Sequence, residues 1–436
     1  MHVNLTLSSD WMGNERSINA FNTSDWLCFL DAGGAPATLR VAESRGPCGP
    51  RMPVKPEGEF QKCYKMSRQS FMALAAKLES RLTVDEQQSR NRTGIEPITH
   101  INKLHMLLRW LSGGSYHDIR SKSGVSVSAF YDCIHEVVEA IIAHPDLQLQ
   151  FPTTLAAQRH AASEFKKLST SKVMKGCVGA VDGWLCPIKA PKKNEVTRVR
   201  SFFSGHYQRY GVDVQACCDH LSRFTAVTCS SPGGTGDSVA FLKWRLSAVV
   251  DTFPNGLYLV GDNAYTNTNK LLTPFPRPRI ATAYHDSFNF YLSQLRIRIE
   301  MAFGLLVCKW RVFNAPLEIA FRRVPRTKLA ACILHNWCIN RRLIESTSYR
   351  VEEDEDLVDG LAALSIADEP PPDLSVVSQD SSRYRRLYDA SDLAADTDTY
   401  NSSEWIRDAI VGVLERDTVL RPQRNRIRRS TEAQEG

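Results

Sequence analysis

The 436-residue chain lacks the short motifs that mark several common enzyme classes. It contains no G-x-x-x-x-G-K-[ST] phosphate loop and no G-x-S-x-G nucleophile elbow, which excludes the commonest ATPase and serine-hydrolase designs. No apolar run approaches the roughly 18 residues that a membrane-spanning helix needs. The first residues also lack the basic and then apolar stretch of a secretory signal. We therefore expect no membrane partner.

Cysteine spacing gives no metal site either. The 12 cysteines include no C-x-x-C pair, and no histidine cluster stands at zinc spacing. Several cysteines lie within apolar runs, so the sequence predicts buried free thiols in a reducing compartment. The formal net charge of +6 permits a polyanionic partner without requiring one.

The N-terminal part divides into a leader and a helical region. Residues 1–58 carry Gly, Pro and Ser without periodicity, which predicts a variable, disordered leader. Residues 59–150 read as helices, the first of which is capped by Ser67. Three helical patterns interrupted by Gly113-Gly114 and Gly124 are typical of a helix-turn-helix. In that interpretation Arg120, Lys122, Ser126 and Ser128 contact DNA; the alternative is a plain helical bundle that packs against an enzyme domain.

From about residue 172 the apolar periodicity changes. A buried strand at Cys177–Val181 and a hairpin of Tyr210–Ala216 with Phe224–Cys229 come first. A helix is predicted from Asp237 or Ser238 to about Val250, followed by a strand at Leu257–Gly261. A long helix then runs from Ser287 or Asn289 to about Trp310. Residues 172–342 therefore predict an α/β domain, with a mixed β-sheet and flanking helices, after the all-α region.

The C-terminal part, residues 346–436, changes character again. It opens with an acidic linker and ends in a basic tail, and we predict that most of it is disordered. One amphipathic helix is expected around Trp405–Leu414, with Ser402 or Ser403 as its cap. This helix could dock on the core or on a partner.

Three acidic residues form the main candidate site. Asp182 and Asp262 each end a short apolar run, and Glu300 shares a helix face with Ile297 and Gly304. Carboxylates brought close together repel unless cations neutralise them, and hard divalent ions such as Mg²⁺ prefer oxygen ligands. Two such ions would suit an in-line displacement at phosphorus.

Simpler interpretations of the same acids remain open. Asp182 could be a turn residue, Asp262 a helix N-cap, and Glu300 an exposed residue paired with Arg296. Asp219 and Asp237 are more simply a turn residue and a cap, and His335-Asn336 a packed structural pair. Basic residues near Glu300 could bind DNA phosphates: Arg296, Arg298, Lys309 and Arg311.

Taken in order, the motifs resemble those of a known family. Gly179-Ala180-Val181-Asp182-Gly183 comes first, then Gly261-Asp262-Asn263-Ala264-Tyr265. Glu300-Met301-Ala302-Phe303-Gly304 follows, and Leu334-His335-Asn336 closes the set. From about Phe60 to Arg342 the chain resembles the transposases of PIF/Harbinger DNA elements and the Harbinger transposase-derived nucleases.

The resemblance implies an RNase H-like fold and a metal-dependent DNA endonuclease or transposase that cuts at element ends, with strand transfer as a further step. It implies that Asp182, Asp262 and Glu300 are the catalytic residues and the ligands of Mg²⁺ or Mn²⁺, with two ions bound. It also implies action on DNA in the nucleus, with a cytoplasmic pool compatible, together with a Myb-like DNA-binding partner protein. A homo-oligomer is compatible with it as well.

One departure from the family pattern supports an alternative. After Asp182-Gly183 the family usually has Thr-His, whereas this chain has Trp184-Leu185. A bulky apolar pair beside the first acidic residue favours a domesticated, catalytically silent DNA- or protein-binding adaptor on the same fold. A structure-selective nuclease unrelated to transposition is a third hypothesis.

Overall fold

A computed structural model describes residues 56–83, 87, 91, 97–345 and 405–422. The predicted leader, acidic linker and basic tail otherwise lie outside the described residues. The described chain forms two compact units: residues 56–151, 182–248 and 299–345 in the first, and residues 152–181, 249–298 and 405–422 in the second. In this part of the chain, no helix combines the length and apolar character needed to cross a membrane.

The first unit begins with the predicted helical region. The Ser67 hydroxyl accepts the Ser70 N–H at 3.0 Å, and the Ser126 hydroxyl accepts the Ala129 N–H at 3.2 Å, so both residues act as N-caps. The all-α region before the sheet is confirmed. Its helices are α1 (Glu57–Tyr64), α2 (Arg68–Leu82), α3 (His100–Leu111), α4 (Tyr116–Lys122) and α5 (Val127–Ala143).

The same unit contains the antiparallel part of the sheet. β3 (Arg209–Cys218) pairs with β4 (Phe224–Pro232) as the predicted hairpin, from Val212 opposite Pro232 to Cys218 opposite Phe224. The two-residue strand β2 (Phe203–Ser204) pairs antiparallel with the first two residues of β3, Arg209 and Tyr210. β1 (Cys177–Pro187) is hydrogen-bonded beside β3, and its second half belongs to this unit.

The helix predicted from Asp237 to about Val250 is two helices. α7 (Asp237–Lys243) and α8 (Arg245–Asp251) are separated by Trp244, whose backbone is extended with ψ at 131°. Trp244 is 2% exposed. Burial of this large side chain outweighs the local helical periodicity, which sequence spacing alone cannot reveal.

The hairpin turn is clamped by a helix from the end of the domain, α10 (Val324–Glu345). His335 Nε2 lies 2.8 Å from the Ser222 carbonyl oxygen. The Asn336 side chain accepts the Phe224 N–H at 2.8 Å and donates to the Phe224 carbonyl at 2.7 Å. The interpretation of His335-Asn336 as a structural pair is confirmed.

In the second unit the strands are parallel. The first half of β1 pairs with β5 (Tyr258–Val260), and β5 pairs with β6 (Leu271–Leu272). Parallel and antiparallel pairings together make the sheet mixed, so the predicted α/β class with flanking helices is confirmed. It is consistent with the RNase H-like fold that the resemblance implies. The helices here are α6 (Leu155–Leu168) and part of α9 (Ala283–Lys309).

The long helix α9 begins earlier than the sequence predicted. Its first turn follows Thr282, whose hydroxyl lies 2.7 Å from His285 Nδ1. Asn289 does not cap the helix: its side chain accepts the Phe275 N–H at 2.7 Å and donates to the Phe275 carbonyl at 2.9 Å. The start predicted at Ser287 or Asn289 is wrong because this asparagine serves a tertiary contact instead.

The predicted C-terminal amphipathic helix is α11 (Trp405–Arg416), and it packs on the chain's own second unit. Ile406 and Leu414 are buried. The Arg407 guanidinium lies 4.0 Å from the centroid of the Phe275 ring, a cation–π contact. Beyond the helix, Arg421 pairs with Asp286 at 2.7 Å. This segment, far along the sequence, therefore belongs to the core of the second unit.

Candidate active site

Asp182 lies within β1, which runs on past it to Pro187 rather than ending at Val181. The side chain is half-buried, and its Oδ1 accepts the Gly183 N–H at 2.8 Å. A hydrogen bond to the charged form of a carboxylate favours that form. Strand β1 therefore fixes the backbone of Asp182, and the next residue orients its side chain.

Gly183 is enclosed by polar side chains of the first unit. A Cβ at this position would overlap Asp237 Oδ1 and would lie 2.6 Å from Gln215 Nε2. Only glycine lets the chain pass this close to the two side chains. Packing against Asp237 and Gln215 therefore requires glycine at position 183, and the sequence alone does not reveal that requirement.

Asp237 is the acidic residue that the sequence interpretation missed. The N-cap position of α7 is Gly236, with no side-chain capping bond, so the prediction that Asp237 is a cap is wrong. Its Oδ1 instead accepts a hydrogen bond from Gln215 Nε2 at 2.8 Å. The same amide nitrogen lies 3.2 and 3.1 Å from the two oxygens of Asp213. Gln215 therefore bridges two carboxylates beside Gly183.

This carboxylate pair has unusual electrostatics. Asp213 is 5% exposed and Gln215 is 1% exposed. Burial, and then repulsion from Asp237, raise the pKa of Asp213 to about 7, while the Gln215 hydrogen bonds and Lys328 act in the opposite direction. The sequence did carry a signal: Asp213 and Gln215 alternate with Val212, Val214 and Ala216 in the buried part of β3, and polar residues there need partners.

Lys328 places a buried cation in the same unit. It is 1% exposed, and its Nζ has no hydrogen-bond partner among the described residues. The ammonium lies 5.6 Å from the centroid of the Trp184 ring. The Trp184 ring also packs against Phe303 at 5.8 Å and Phe313 at 5.7 Å between centroids. The family departure at Trp184 is therefore accommodated by aromatic neighbours and a cation, while Asp182 keeps its bond to Gly183.

Asp262 follows β5 in the second unit. Its Oδ1 accepts the Ala264 N–H at 2.9 Å, and its carbonyl oxygen lies 3.3 Å from the Tyr265 nitrogen. The side chain is half-buried and closes a turn. The alternative that Asp262 caps a following helix is wrong, since the next regular element is strand β6.

Glu300 lies in α9, in the part that belongs to the first unit, and it is half-buried. The helix face that Glu300 shares with Ile297 and Gly304 is not wholly buried. Ile297 is 45% exposed, whereas Ile299 and Phe303 are buried. The Glu300 carboxyl group is therefore partly exposed to solvent and does not lie within a buried apolar stripe.

The donor chemistry of the three acids fits a hard divalent cation, because all three are half-buried carboxylates that offer oxygen ligands. Within the described ranges, no group of three or more His, Cys, Asp or Glu side chains is spaced to hold a metal ion. The assignment of Asp182, Asp262 and Glu300 as joint ligands stays a prediction.

The predicted DNA contacts of the helical region lie at the turn between α4 and α5. Lys122, Ser126 and Ser128 are exposed, and Arg120 is half-buried. The α5 N-terminus keeps the Ser126 hydroxyl engaged as its cap. Their role in DNA binding stays a prediction.

The second predicted group surrounds Glu300 in sequence. Arg311 is exposed, and Arg296 and Arg298 are half-buried. Lys309 differs from these, because its Nζ lies 3.3 Å from the Lys65 carbonyl oxygen, and burial lowers its pKa. Its amine is thus directed at the protein backbone, a position that helical spacing did not anticipate.

The substitution Asp213→Asn tests the raised pKa of the Asp213 carboxyl group. The pKa of Asp213 is raised from 3.8 to about 7, so the folded protein keeps a proton there that the unfolded chain loses. The wild-type free energy of unfolding should therefore fall relative to that of Asp213→Asn as the pH rises from about 4 to about 7. Urea unfolding in EDTA at a series of pH values measures this. A difference that stays constant with pH would contradict the raised pKa.

Comparison with known proteins finds a family match over the middle of the chain. The profile described as DDE superfamily endonuclease matches residues 181–336. This part of the chain is similar to the DDE superfamily endonucleases. The match begins one residue before Asp182, ends at Asn336 and contains Asp262 and Glu300. The matched region thus includes all three motif acids and the His335-Asn336 pair.

The relatives of this chain are consistent with that similarity. It is 28% identical over 280 residues to the Mus musculus protein named "Putative nuclease HARBI1", covering 63% of this chain and 75% of the relative. The Homo sapiens protein of the same name is 25% identical over 280 residues, with the same coverage. No solved structure matches the chain. The resemblance to the Harbinger-type DDE nucleases is confirmed.

Proposed function

We propose that this endonuclease is a metal-dependent enzyme of Harbinger type that hydrolyses phosphodiester bonds at the ends of a DNA element. In this proposal Asp182, Asp262 and Glu300 are its catalytic residues and its metal ligands. Strand transfer, in which the released 3′-hydroxyl attacks target DNA, is the further step. The observation that carries the proposal is the DDE endonuclease match over residues 181–336, which contains the three motif acids in order.

The roles of the residues follow from their chemistry. Two divalent ions, Mg²⁺ or Mn²⁺, would stabilise the attacking and leaving oxygens of an in-line displacement when bound. Asp182, Asp262 and Glu300 would hold them through carboxylate oxygens. The Gly183 N–H orients the Asp182 carboxylate through its 2.8 Å bond. Hydrolysis breaks the bond between phosphorus and the 3′-oxygen, and leaves a 3′-hydroxyl and a 5′-phosphate.

The proposed setting follows from the Harbinger-type relationship. We place the enzyme in the nucleus, with a cytoplasmic pool compatible with it, and propose a Myb-like protein as a partner in DNA recognition. A homo-oligomer would fit a reaction that acts on two element ends. Each of these can be tested by localisation, co-purification and mass measurement.

The second candidate function is a catalytically silent DNA- or protein-binding adaptor. The observation that favours it is Trp184, which stands where the family has threonine and is packed against Phe303 and Phe313. An adaptor of this kind would keep the fold without needing divalent ions.

Calorimetric titration with Mn²⁺ separates the two functions. The endonuclease should bind Mn²⁺, and Asp262→Ala should weaken binding by more than about 10-fold, because loss of an outer-shell partner alone costs about 10–100-fold. Asp251→Ala removes an exposed carboxylate from the same unit and serves as the matched control. Absence of binding, or binding that Asp262→Ala leaves unchanged, would favour the adaptor. Parallel cleavage assays on terminal-repeat duplex and on branched DNA test the third hypothesis. Preferential cleavage of branched DNA would favour a structure-selective nuclease over the Harbinger-type enzyme.

A further inference from the structure

The connection between β1 and β3, residues 188–209, has a strongly positive composition. It carries six cations, Lys189, Lys192, Lys193, Arg198, Arg200 and Arg209, against the single carboxylate of Glu195. Its net charge is therefore +5, nearly the whole formal excess of +6 in the chain. A charge excess concentrated in one segment creates a local field for a polyanion, which the same excess spread over the surface would not.

The cations of this segment face solvent. All six are exposed. Lys189 pairs with Glu318 at 2.8 Å, and the Glu195 carboxylate is occupied by the Lys192 backbone N–H at 2.8 Å. Lys193, Arg198 and Arg200 form no ion pair with any residue in the described part of the chain. Their charges are thus not neutralised by neighbouring carboxylates.

The segment is anchored rather than loosely tethered. Ile188 donates its N–H to the Tyr210 carbonyl at 3.1 Å, and the Gly234 N–H bonds to the Ser201 carbonyl at 2.9 Å. Phe202 is 1% exposed and packs edge-on against Phe321 at 5.1 Å between ring centroids. A surface that is already ordered loses less conformational entropy when it binds than a mobile one does.

An exposed aromatic residue accompanies the cations. Tyr207 lies in the turn between β2 and β3 and is 52% exposed, an unusual position for a large ring. The His206 ring stands nearly perpendicular to it, 4.6 Å away between centroids. Arg209 follows two residues later and donates from Nε to the Tyr207 carbonyl at 3.3 Å. Aromatic and cationic groups side by side are typical of surfaces that bind single-stranded nucleic acid, so this pair indicates a nucleic-acid surface while the cations carry the argument for a duplex.

The segment also continues directly from the strand that carries Asp182. Lys189 stands seven positions after Asp182, which is at most roughly 23 Å at about 3.3 Å per strand residue. That length corresponds to about seven base-pair steps at 3.4 Å each. The start of the connection therefore lies within about seven base-pair steps of Asp182.

We propose that residues 188–209 bind the phosphate backbone of duplex DNA beside the cleavage point, with Lys193, Arg198 and Arg200 as the main phosphate contacts. The identity of the polyanion rests on the proposed endonuclease function, whereas binding itself needs neither metal ions nor catalysis. Binding by these groups is independent of base sequence, because phosphate contacts position a protein on DNA without reading it.

The test is the salt dependence of DNA binding, measured by fluorescence anisotropy with the full chain in EDTA. The triple variant Lys193→Gln, Arg198→Gln, Arg200→Gln should lower the slope of log K against log salt concentration by about 2.7, since each phosphate contact contributes about 0.9. The control triple, Arg159→Gln, Lys167→Gln and Lys172→Gln, removes the same charge from exposed sites in the second unit. Its slope should stay within about 1 of the wild-type value.

The outcomes separate the surface from the enzyme. The proposed DNA-binding surface would be wrong if the first triple variant left the salt-dependence slope unchanged. It would also be wrong if both triple variants lowered that slope equally. Tighter binding to an RNA duplex than to a DNA duplex would overturn DNA as its ligand. A lowered slope in a protein that cuts no DNA would support the surface and count against the proposed function alone. Thermal unfolding of both variants checks that the fold is retained.

Discussion

Asp182→Asn should abolish metal-dependent cleavage of terminal-repeat DNA while leaving the fold intact. Loss of an outer-shell partner of a metal ligand costs about 10–100-fold, so loss of a ligand's charge should cost at least about 100-fold. The asparagine oxygen can still accept the Gly183 N–H, and the side chain is half-buried, so stability should change little. Single-turnover cleavage in Mg²⁺ or Mn²⁺ measures the loss, and thermal unfolding measures stability.

The matched control for this variant is Asp251→Asn, which makes the same change at an exposed position. It should cut DNA at the wild-type rate. If Asp182→Asn cut as fast as the wild type, Asp182 would not be a catalytic ligand and the site assignment would be wrong. Glu300→Gln should lose cleavage to a similar degree.

Gly183→Ala should lower cleavage and stability together. The new Cβ would overlap Asp237 Oδ1 and lie 2.6 Å from Gln215 Nε2, so either the strand or the bridged carboxylates must move. Overpacking of this kind costs about 1–3 kcal/mol of unfolding free energy. A displacement of about 1 Å at a reacting group can cost about 100-fold in rate. Urea unfolding and single-turnover cleavage measure the two effects.

Two further variants identify the cause. Gly58→Ala adds the same methyl group at an exposed position in α1 where nothing lies within 4 Å, and it should leave activity unchanged. Asp237→Ala added to Gly183→Ala removes the overlapping oxygen, so the double variant should lose less stability than the two single losses combined. Strict additivity would show that the methyl group acts elsewhere.

Features set by local chemistry could be predicted from the sequence. Ser67 was recognised as a cap because its hydroxyl bonds to a backbone N–H only three residues later. The β3–β4 hairpin followed from two apolar runs around a polar turn, and α11 from its helical spacing. The three motif acids were proposed from their predicted places at strand ends and on a helix, and Asp182 lies within β1 rather than at its end.

Features set by distant contacts could not be predicted. Trp244 breaks a helix because its side chain is buried, and Asn289 lies inside α9 because it binds the backbone of Phe275. Asp237 looked like a helix cap, yet its carboxylate is held by Gln215 from a neighbouring strand. The partners of Asn289 and Asp237 lie 14 and 22 residues away, so local spacing carries no sign of them.

Lys328 and Trp184 show the same limit at the candidate site. The sequence marked Trp184-Leu185 only as a departure from a family pattern. The structure gives the tryptophan aromatic partners and a buried ammonium at 5.6 Å from its ring centroid. A cation over an indole face is stabilising, so Lys328 and Trp184 stabilise each other in the folded protein. The structure thus shows how the fold accommodates Trp184, and the Mn²⁺ titration decides between the enzyme and the adaptor.

The central claim, that Asp182, Asp262 and Glu300 share divalent ions, is tested most directly by replacing Mg²⁺ with Fe²⁺. With ascorbate and peroxide, bound iron generates hydroxyl radicals that cut the polypeptide beside its ligands. The claim predicts cuts next to all three residues, suppressed by excess Mg²⁺ and lost together in Asp182→Asn. Cuts at only one of the three, or cuts that persist unchanged in Asp182→Asn, would contradict it.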